Sequence, residues 1–228
     1  MRLCIPPTRR PPRTHAMSAK DNAPKAGSRR SNLPTPPPVR PAPELFVPDD
    51  ARCARYWEEY AMLDNVAAHS RMVADVATFL ARRAVEKGID VDVPTVRASA
   101  LLHDLAKTYC IRHGGNHSQL GGAWVAELTG NPVIASGVTH HVYWPFAMDL
   151  EPYFTPLAVL YADKRVNHNR LVSVKDRFKD LVVRYGIPLN LQDSINETKR
   201  QALELEQLLC DTLEVDLNAC DFDSGRLV

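Results

Sequence analysis

The sequence predicts an all-α fold in which several helices pack as a bundle. Apolar residues recur at helical spacing along the chain, as in Val66, Val73, Val76 and Leu80. No segment shows sustained alternation of apolar and polar residues, and no hairpin dipeptide separates runs of β-forming residues. These observations favour helices and give no support to a sheet.

Residues 1–43 differ in composition from the rest of the chain. They hold 9 of the 28 Lys and Arg residues, 1 of the 27 Asp and Glu residues and 11 of the 18 prolines. The net charge of +1 therefore hides a tail of +8 on a domain of −7. Such a segment cannot bury enough surface to offset its ordering entropy, which predicts a disordered, basic, proline-rich tail with polyproline II character. Met17 is an alternative start, and contact of the tail with nucleic acid or an SH3-type domain is the less favoured interpretation.

The predicted domain spans residues 44–228 and begins with two helices. The first covers residues 51–62 and is capped by an aspartate. The second covers residues 65–87 and ends at Gly88, a residue type favoured just past a helix C-terminus. His69 lies on the apolar face of this helix. A lone histidine there is more often a satisfied core residue than a ligand, so its role depends on what lies downstream.

The third predicted helix covers residues 94–108. Pro94 suits its first turn, because proline is tolerated where the backbone N–H has no intrahelical partner. Its inner face carries Val96 and, near the end, the adjacent His103 and Asp104. This helix therefore brings an imidazole and a carboxylate to the interior.

Two further helices lead to an aromatic loop. The fourth covers residues 117–129, and the fifth covers residues 131–140 and delivers the adjacent His140 and His141. The loop of residues 142–154 is rich in aromatic residues and contains prolines, which makes it too irregular for a helix or strand. We expect it to form one wall of a pocket.

Three helices complete the predicted bundle. The sixth covers residues 155–167 and carries Asp163. The seventh begins at Ser173, where the sequence resembles a capping box, and ends at Gly186. The last helix covers residues 191–212. The candidate functional residues fall within residues 60–186. This last helix lies after them and carries none of these residues.

Composition and cysteine usage exclude several classes of protein. Hydrophobic residues make up 45% of the chain, as in globular domains. No apolar run approaches the ~18–20 residues of a membrane span. The five cysteines are scattered and lack metal-type spacing, which favours reduced thiols in a cytoplasmic protein. We therefore expect no membrane partner.

The His103-Asp104 pair is a poor choice for an apolar core, because unpaired polar groups are costly there. It suits a divalent metal ion. Imidazole together with carboxylate favours Zn, Mn, Fe, Co or Ni over Ca, which prefers oxygen ligands alone. His69 upstream and Asp163 downstream, each on another predicted helix, are the candidate partners.

The order of His69, His103-Asp104 and Asp163 on the helices of an all-α chain resembles the HD-domain metal-dependent phosphohydrolases. The resemblance covers about residues 60–186. It implies an HD-domain helical bundle in which these four residues hold a first metal ion. Coordination positions left open for water and substrate distinguish such a catalytic site from a structural one. The reaction implied is attack by a metal-activated hydroxide.

Some HD enzymes hold a second metal ion, with the aspartate of the His-Asp pair bridging the two. The resemblance then implies two further histidine ligands, and His117 and either His140 or His141 match those places. This six-ligand pattern resembles the HD enzymes that hydrolyse diadenosine tetraphosphate symmetrically. The implied cofactor is one or two divalent metal ions, with Fe, Mn, Co, Ni, Zn and Mg not distinguished.

The resemblance assigns catalysis to Asp104, as a metal ligand, and to Lys107, which in the family faces the substrate phosphate. Lys107 lies three residues after Asp104 and so shares its helix face. Arg71, Lys164 and Arg165 are weaker candidates for substrate binding. At least one of the two adjacent cations, Lys164 or Arg165, must point away from the substrate.

Three cationic side chains of the seventh helix receive a different interpretation. Arg177, Lys179 and Arg184 are expected on its solvated face. His168, which follows the predicted sixth helix, receives no role.

The sequence thus favours a metal-dependent phosphohydrolase that cleaves a phosphoester or phosphoanhydride of a small nucleotide, with a dinucleoside polyphosphate as one option. The alternatives are a phosphodiesterase acting on cyclic or oligonucleotides and a non-catalytic nucleotide-sensing HD module. The expected partner is the small nucleotide; nucleic acid is not favoured, and a homo-oligomer stays open.

Overall fold

The computed structural model describes residues 37–186 and 190–217 of the 228-residue chain. A two-stranded antiparallel hairpin follows the seventh helix, with β1 at Val166–Asn167 and β2 at Arg170–Leu171. A short π-helical segment, Val182–Gly186, follows the eighth. The α-helices are, in chain order, α1 Asp50–Glu59, α2 Asp64–Glu86, α3 Val93–Leu102, α4 Lys107–His113, α5 His117–Thr129, α6 Pro132–His140, α7 Leu150–Lys164, α8 Val174–Leu181 and α9 Gln192–Leu213.

The predicted all-α fold is confirmed, because helices form nearly all the regular structure of the described residues. None of the described helices combines the length and apolarity that crossing a membrane requires. Most of the predicted tail, residues 1–36, lies outside the described residues. Residues 37–43, its described end, contain neither helix nor strand.

The central helix is α2, which packs against α3 and α7. Val73, Val76 and Leu80 lie on its inner face and are fully buried. This is the apolar stripe that predicted the helix. Burial of each such side chain stabilises the fold by about 1.5–3 kcal/mol relative to leaving it exposed.

Two glycines allow α3, α5 and α6 to approach closely. A Cβ atom on Gly122 of α5 would lie 2.0 Å from Thr139 Oγ1 of α6. A Cβ atom on Gly137 of α6 would lie 2.1 Å from Ser99 Oγ of α3. The close packing brings the beginning of α5 and the ends of α3 and α6 together, and the site described below lies there.

The prediction of one continuous third helix over residues 94–108 is wrong in its second half. Helix α3 ends at Leu102, residues 103–106 form tight turns, and α4 begins at Lys107. Helical hydrogen bonding gives way because the His103 ring bonds to the carbonyl of Ala100, at 2.7 Å, and competes with the backbone for it.

The region around the sixth predicted helix also differs from expectation. Helix α7 begins at Leu150, inside the predicted loop, and is kinked at Tyr153. It ends at Lys164, and the hairpin begins two residues later, at Val166. The hairpin turn places His168 at φ 57°, in the left-handed region. Strands of two residues are too short to show the alternation by which strands are predicted.

The last two predicted helices are present with shifted ends. Helix α8 begins after Ser173, whose hydroxyl accepts the Asp176 N–H as an N-cap. It ends at Leu181, before the π-helical segment that completes the predicted range. Helix α9 packs against α7 and α8 and buries Leu205 and Leu209.

Candidate metal centre

Six side chains of types that can bind a metal ion meet at the centre of the bundle. They come from α2, the turn after α3, the first residue of α5, the residue after α6, and α7. All are buried except the partly exposed side chain of His117. The set is His69, His103, Asp104, His117, His141 and Asp163.

Three of the four histidines are held by a backbone carbonyl at Nδ1. The Nδ1–H groups of His103 and His141 donate to Ala100 O and Val138 O, each at 2.7 Å. Both histidines directly follow a helix, so each bond also satisfies one of the carbonyls that a helix C-terminus leaves unpaired. His69 Nδ1 bonds to His168 O at 2.9 Å. In this tautomer Nε2 carries the free lone pair of each ring, as a metal ligand requires.

One half of the centre surrounds Oδ2 of Asp104. His103 Nε2 lies 3.3 Å from this oxygen and His69 Nε2 lies 4.0 Å from it. Asp163 Oδ1 is 2.9 Å from His69 Nε2 and 3.9 Å from His103 Nε2. Three of these residues, His69, His103 and Asp163, form a group whose ligand atoms could hold one ion.

The other half surrounds Oδ1 of the same carboxylate. His117 Nε2 lies 3.4 Å and His141 Nε2 lies 3.6 Å from Asp104 Oδ1. The two imidazole nitrogens are 3.2 Å apart. Asp104 therefore presents one oxygen to each half of the centre.

These separations fit metal coordination. Two ligands that bind one ion at about 2.1 Å and at a right angle are about 3.0 Å apart. Asp104 Oδ1 and His103 Nε2 are buried and make no hydrogen bond with the described residues. An unpaired buried polar atom is costly, and a divalent ion would satisfy both atoms. The residues present therefore fit a divalent metal centre.

The charge states also suit ligands. Burial would raise the pKa of Asp104, but Lys107 and His103 hold it well below its usual range. Burial would likewise raise the pKa of Asp163, but Lys164 and His69 hold it well below the usual value. Burial lowers the pKa of His117 to about 3. These three side chains are therefore metal-binding bases at neutral pH.

Burial also lowers the pKa of His141, which is neutral at pH 7. His103 behaves differently: burial would lower its pKa, but the Asp104 carboxylate raises it above the usual value. A proton and a metal ion therefore compete for this imidazole, and metal binding weakens as pH falls.

Two lysines accompany the ligands. Lys107 Nζ lies 2.6 Å from Asp104 Oδ2, and its side chain is 31% exposed. Lys164 is buried; its Nζ lies 2.6 Å from Asp163 Oδ2 and donates to His141 O at 3.1 Å. Lys107 can reach a substrate at the surface of the centre, whereas Lys164 is enclosed behind it.

The structure separates the two adjacent histidines that the sequence left open. His140 points away from the cluster and packs edge-on against Trp144 and Phe146, with ring centroids 5.0 and 6.1 Å apart. It lines a separate cavity of about 130 Å³. His141 is the residue that reaches Asp104, because it occupies the position directly after α6. Of the two ligand candidates, the structure brings His141 and not His140 to the cluster.

Two predicted substrate-binding arginines lie away from the centre. Arg71 stacks over the Trp57 ring, with 4.7 Å between the guanidinium and the ring centroid. Arg165 is buried, and its Nη1 donates to Tyr161 Oη at 2.6 Å and to Leu217 O at 2.7 Å. It joins α7 to the end of the described chain, and these contacts turn it away from the place where substrate binding was expected.

The placement of two residues was missed in the sequence. His168 supports His69 through its backbone carbonyl, which no side-chain pattern reveals. Arg177 was expected in solvent but is buried. The available signal was helical spacing. Arg177 follows the buried Val174 by three residues and directly precedes the buried Phe178, so all three lie on one face of α8.

A comparison with protein-family models matches the model described as the HD domain, at residues 66–180, which is half of the chain. The match includes all six clustered side chains and Arg177. No curated protein and no solved structure matches this chain.

Proposed function

Because this chain belongs to the HD-domain superfamily of metal-dependent phosphohydrolases, we propose that it hydrolyses a phosphoester or phosphoanhydride bond of a small nucleotide. The observation that carries this proposal is the placement of Asp104. One of its oxygens faces His69 and His103, which Asp163 also approaches, and the other faces His117 and His141. A single carboxylate that serves two ligand groups suits a binuclear catalytic centre.

The residues that would hold each ion follow from this arrangement. His69, His103, Asp163 and Asp104 Oδ2 would hold one divalent ion. His117, His141 and Asp104 Oδ1 would hold the other. The mixture of imidazole and carboxylate suits Mn, Fe, Co or Zn. When bound, such ions supply Lewis-acid polarisation of phosphoryl oxygens and lower the pKa of a coordinated water.

Solvent reaches the centre on one side. The side chains of His117 and Lys107 are 29% and 31% exposed, whereas those of His69, His103 and Asp104 are 7% exposed or less. Substrate therefore approaches past Lys107 and His117. The half that holds His117 has fewer protein ligands, which leaves more room there for substrate oxygens.

Lys107 supplies positive charge on the substrate side. Burial would lower its pKa, but the Asp104 carboxylate raises it, so the side chain is an ammonium at neutral pH. It can donate to a phosphoryl oxygen and stabilise the negative charge that develops during transfer. Its contact with Asp104 positions that donor next to the ligand that both halves share.

A dinucleoside polyphosphate is the more specific substrate that we propose. The two halves of the centre can contact adjacent phosphoryl groups, and two ions balance the charge of a polyphosphate chain better than one. The phosphodiesterase and nucleotide-sensing alternatives use the same residues, so the experiment must separate them.

The test is a hydrolysis screen with the full chain purified without chelators and loaded with Mn²⁺ or Fe²⁺. The substrates are nucleoside monophosphates, cyclic nucleotides, short oligonucleotides and dinucleoside polyphosphates, and Asp104→Asn is the control. We expect hydrolysis of a dinucleoside polyphosphate and its loss in D104N. Turnover of cyclic nucleotides or oligonucleotides alone would indicate the phosphodiesterase. Nucleotide binding without turnover in metal-loaded protein would contradict the hydrolase and indicate a sensing module.

A further inference from the structure

We propose that Arg177 of α8 binds a phosphate group of the substrate beside the metal centre, on the side where Lys107 lies. This inference rests on the proposed phosphohydrolase function and adds a specific anion-binding residue to it. Neither the His-Asp motif nor the ligand set includes this side chain.

The first observation is the burial of Arg177. Its side chain is 9% exposed, whereas Arg184, one turn beyond α8, is 35% exposed and Lys179 is 76% exposed. The helix was expected to place all three cations in solvent. Removing a guanidinium from water is costly unless its charge and its donors are satisfied.

The second observation is that its described neighbours satisfy Arg177 only in part. Its Nη1 donates to Asn167 Oδ1 at 3.1 Å and lies 3.6 Å from Asp180 Oδ2. The same Asp180 oxygen accepts a hydrogen bond from Arg184 Nε at 2.8 Å, so two cations share one carboxylate. Arg177 Nε is buried and makes no hydrogen bond with the described residues. A guanidinium carries five N–H donors, and donors therefore remain for another partner.

The third observation is the location. Asn167, which Arg177 holds, precedes His168, and the carbonyl of His168 positions the metal ligand His69. Helix α8 also packs against α7, which carries Asp163. The guanidinium thus contacts the hairpin that supports His69.

The electrostatics agree with this location. Burial would raise the pKa of Asp163, and the positive charge of Arg177 is among the groups that hold it well below its usual range. Burial acts to lower the pKa of Lys107, and the Asp104 carboxylate raises it. The positive charge of Arg177 also acts to lower this pKa. Arg177 is thus close enough to both residues to influence their ionisation.

A phosphate is the ligand class that these features fit. The planar guanidinium presents paired donors that match two oxygens of a phosphate, and such charge-assisted bonds are about twice as strong as neutral ones. Lys107 adds a compact positive charge without that geometry. A nucleotide phosphate placed between Arg177 and Lys107 would accept hydrogen bonds from the N–H groups of Arg177 that its described neighbours leave unpaired.

The experiment uses inorganic phosphate as the probe, so that it does not depend on turnover. Phosphate affinity and metal content are measured for the Mn²⁺-loaded full chain and for Arg177→Gln, Arg177→Lys and Arg184→Gln. R184Q is the matched control, because Arg184 shares Asp180 but lies at the surface. We expect R177Q to weaken phosphate binding about tenfold or more, with metal content unchanged. R177K should recover part of the loss and R184Q should bind as the wild type does.

Three results would overturn the inference. The first is wild-type phosphate affinity in R177Q, and the second is a wild-type chain that does not bind phosphate. The third is loss of metal together with phosphate affinity in R177Q, which would show that Arg177 acts through Asn167 and His69. Failure of the proposed function looks different: phosphate binding would depend on Arg177 while no nucleotide is hydrolysed.

Discussion

The ammonium of Lys164 lies 2.6 Å from Oδ2 of Asp163, its neighbour in sequence, and both side chains are buried at the centre of the bundle. The contact occupies one carboxylate oxygen and leaves Oδ1 facing His69, at 2.9 Å. Lys164 also donates to the carbonyl of His141, a candidate ligand of the other half. This lysine therefore connects two candidate ligands that belong to different halves.

Replacing Lys164 with Met should destabilise the metal-free protein strongly. The substitution leaves Asp163 buried without its compensating charge, and breaking a buried pair in this way costs about 3–5 kcal/mol. Bound metal ions would restore part of that loss, because they also neutralise the carboxylate. The measurement is chemical denaturation of K164M and wild type, each with EDTA and with Mn²⁺.

The control for this prediction is Lys179→Met. Lys179 makes a similar 2.7 Å contact with Asp176, but at the surface of α8, where exposed ion pairs contribute little. We expect K179M to match wild type. An equal loss of stability in the two variants, or a loss in K164M that metal does not reduce, would contradict the role assigned to Lys164.

Replacing Lys107 with Ala should reduce turnover by about 10²–10³-fold, the usual cost of losing a donor that stabilises developing charge. Metal content should stay near the wild-type value, because the ammonium is a neighbour of Asp104 and not a ligand. The measurements are steady-state hydrolysis and elemental analysis of the same sample. Lys87→Ala is the matched control. Lys87 follows the C-terminal end of α2, the end opposite His69, and pairs there with Glu214. Turnover of K107A within a few-fold of wild type would show that Lys107 does not contact the reacting group.

The metal-free protein should lose stability as pH falls from about 6.5, because burial lowers the pKa of folded His117 from 6.5 to about 3. Within this window the unfolded chain binds a proton at His117 and the folded chain does not, so unfolding becomes more favourable in acid. His141, whose pKa burial also lowers, acts in the same direction. Burial would lower the pKa of His103, but Asp104 raises it, so His103 acts in the opposite direction.

The variant His117→Gln isolates this contribution. With EDTA present, its melting temperature should fall less between pH 7.5 and pH 5 than that of wild type, because the side chain no longer takes up a proton on unfolding. Equal decreases in the two proteins would show that His117 does not titrate in this way.

The parts of the fold that the sequence predicts best are those with a local cause. Val73, Val76 and Leu80 follow the helical period over several turns, and α2 forms as expected. The hairpin at residues 166–171 was missed, because two-residue strands carry no alternating pattern. The break after Leu102 was also missed. It depends on His103 bonding to Ala100, a competition between side chain and backbone that apolar spacing does not show.

The candidate site likewise contains residues that the sequence identifies and residues that only the structure identifies. His69, His103, Asp104 and Asp163 could be selected from their order along predicted helices. The choice between His140 and His141 needed the end of α6, because one residue of helix rotates a side chain by about 100° and so decides which histidine faces Asp104. The burial of Arg177 could have been predicted from its spacing to Val174 and Phe178, whereas the packing of α8 against α7 is a tertiary contact that residue spacing alone leaves undetermined.

The most direct test of the binuclear centre is the metal content of wild type, His141→Gln and His140→Gln, purified without chelators. We expect about two ions per chain in wild type and in H140Q, and about one in H141Q, because His141, and not His140, faces Asp104 Oδ1. The retained ion in H141Q would be the one held by His69, His103, Asp104 and Asp163. A wild type with a single ion, or an H140Q that loses metal while H141Q keeps it, would contradict a binuclear centre bridged by Asp104.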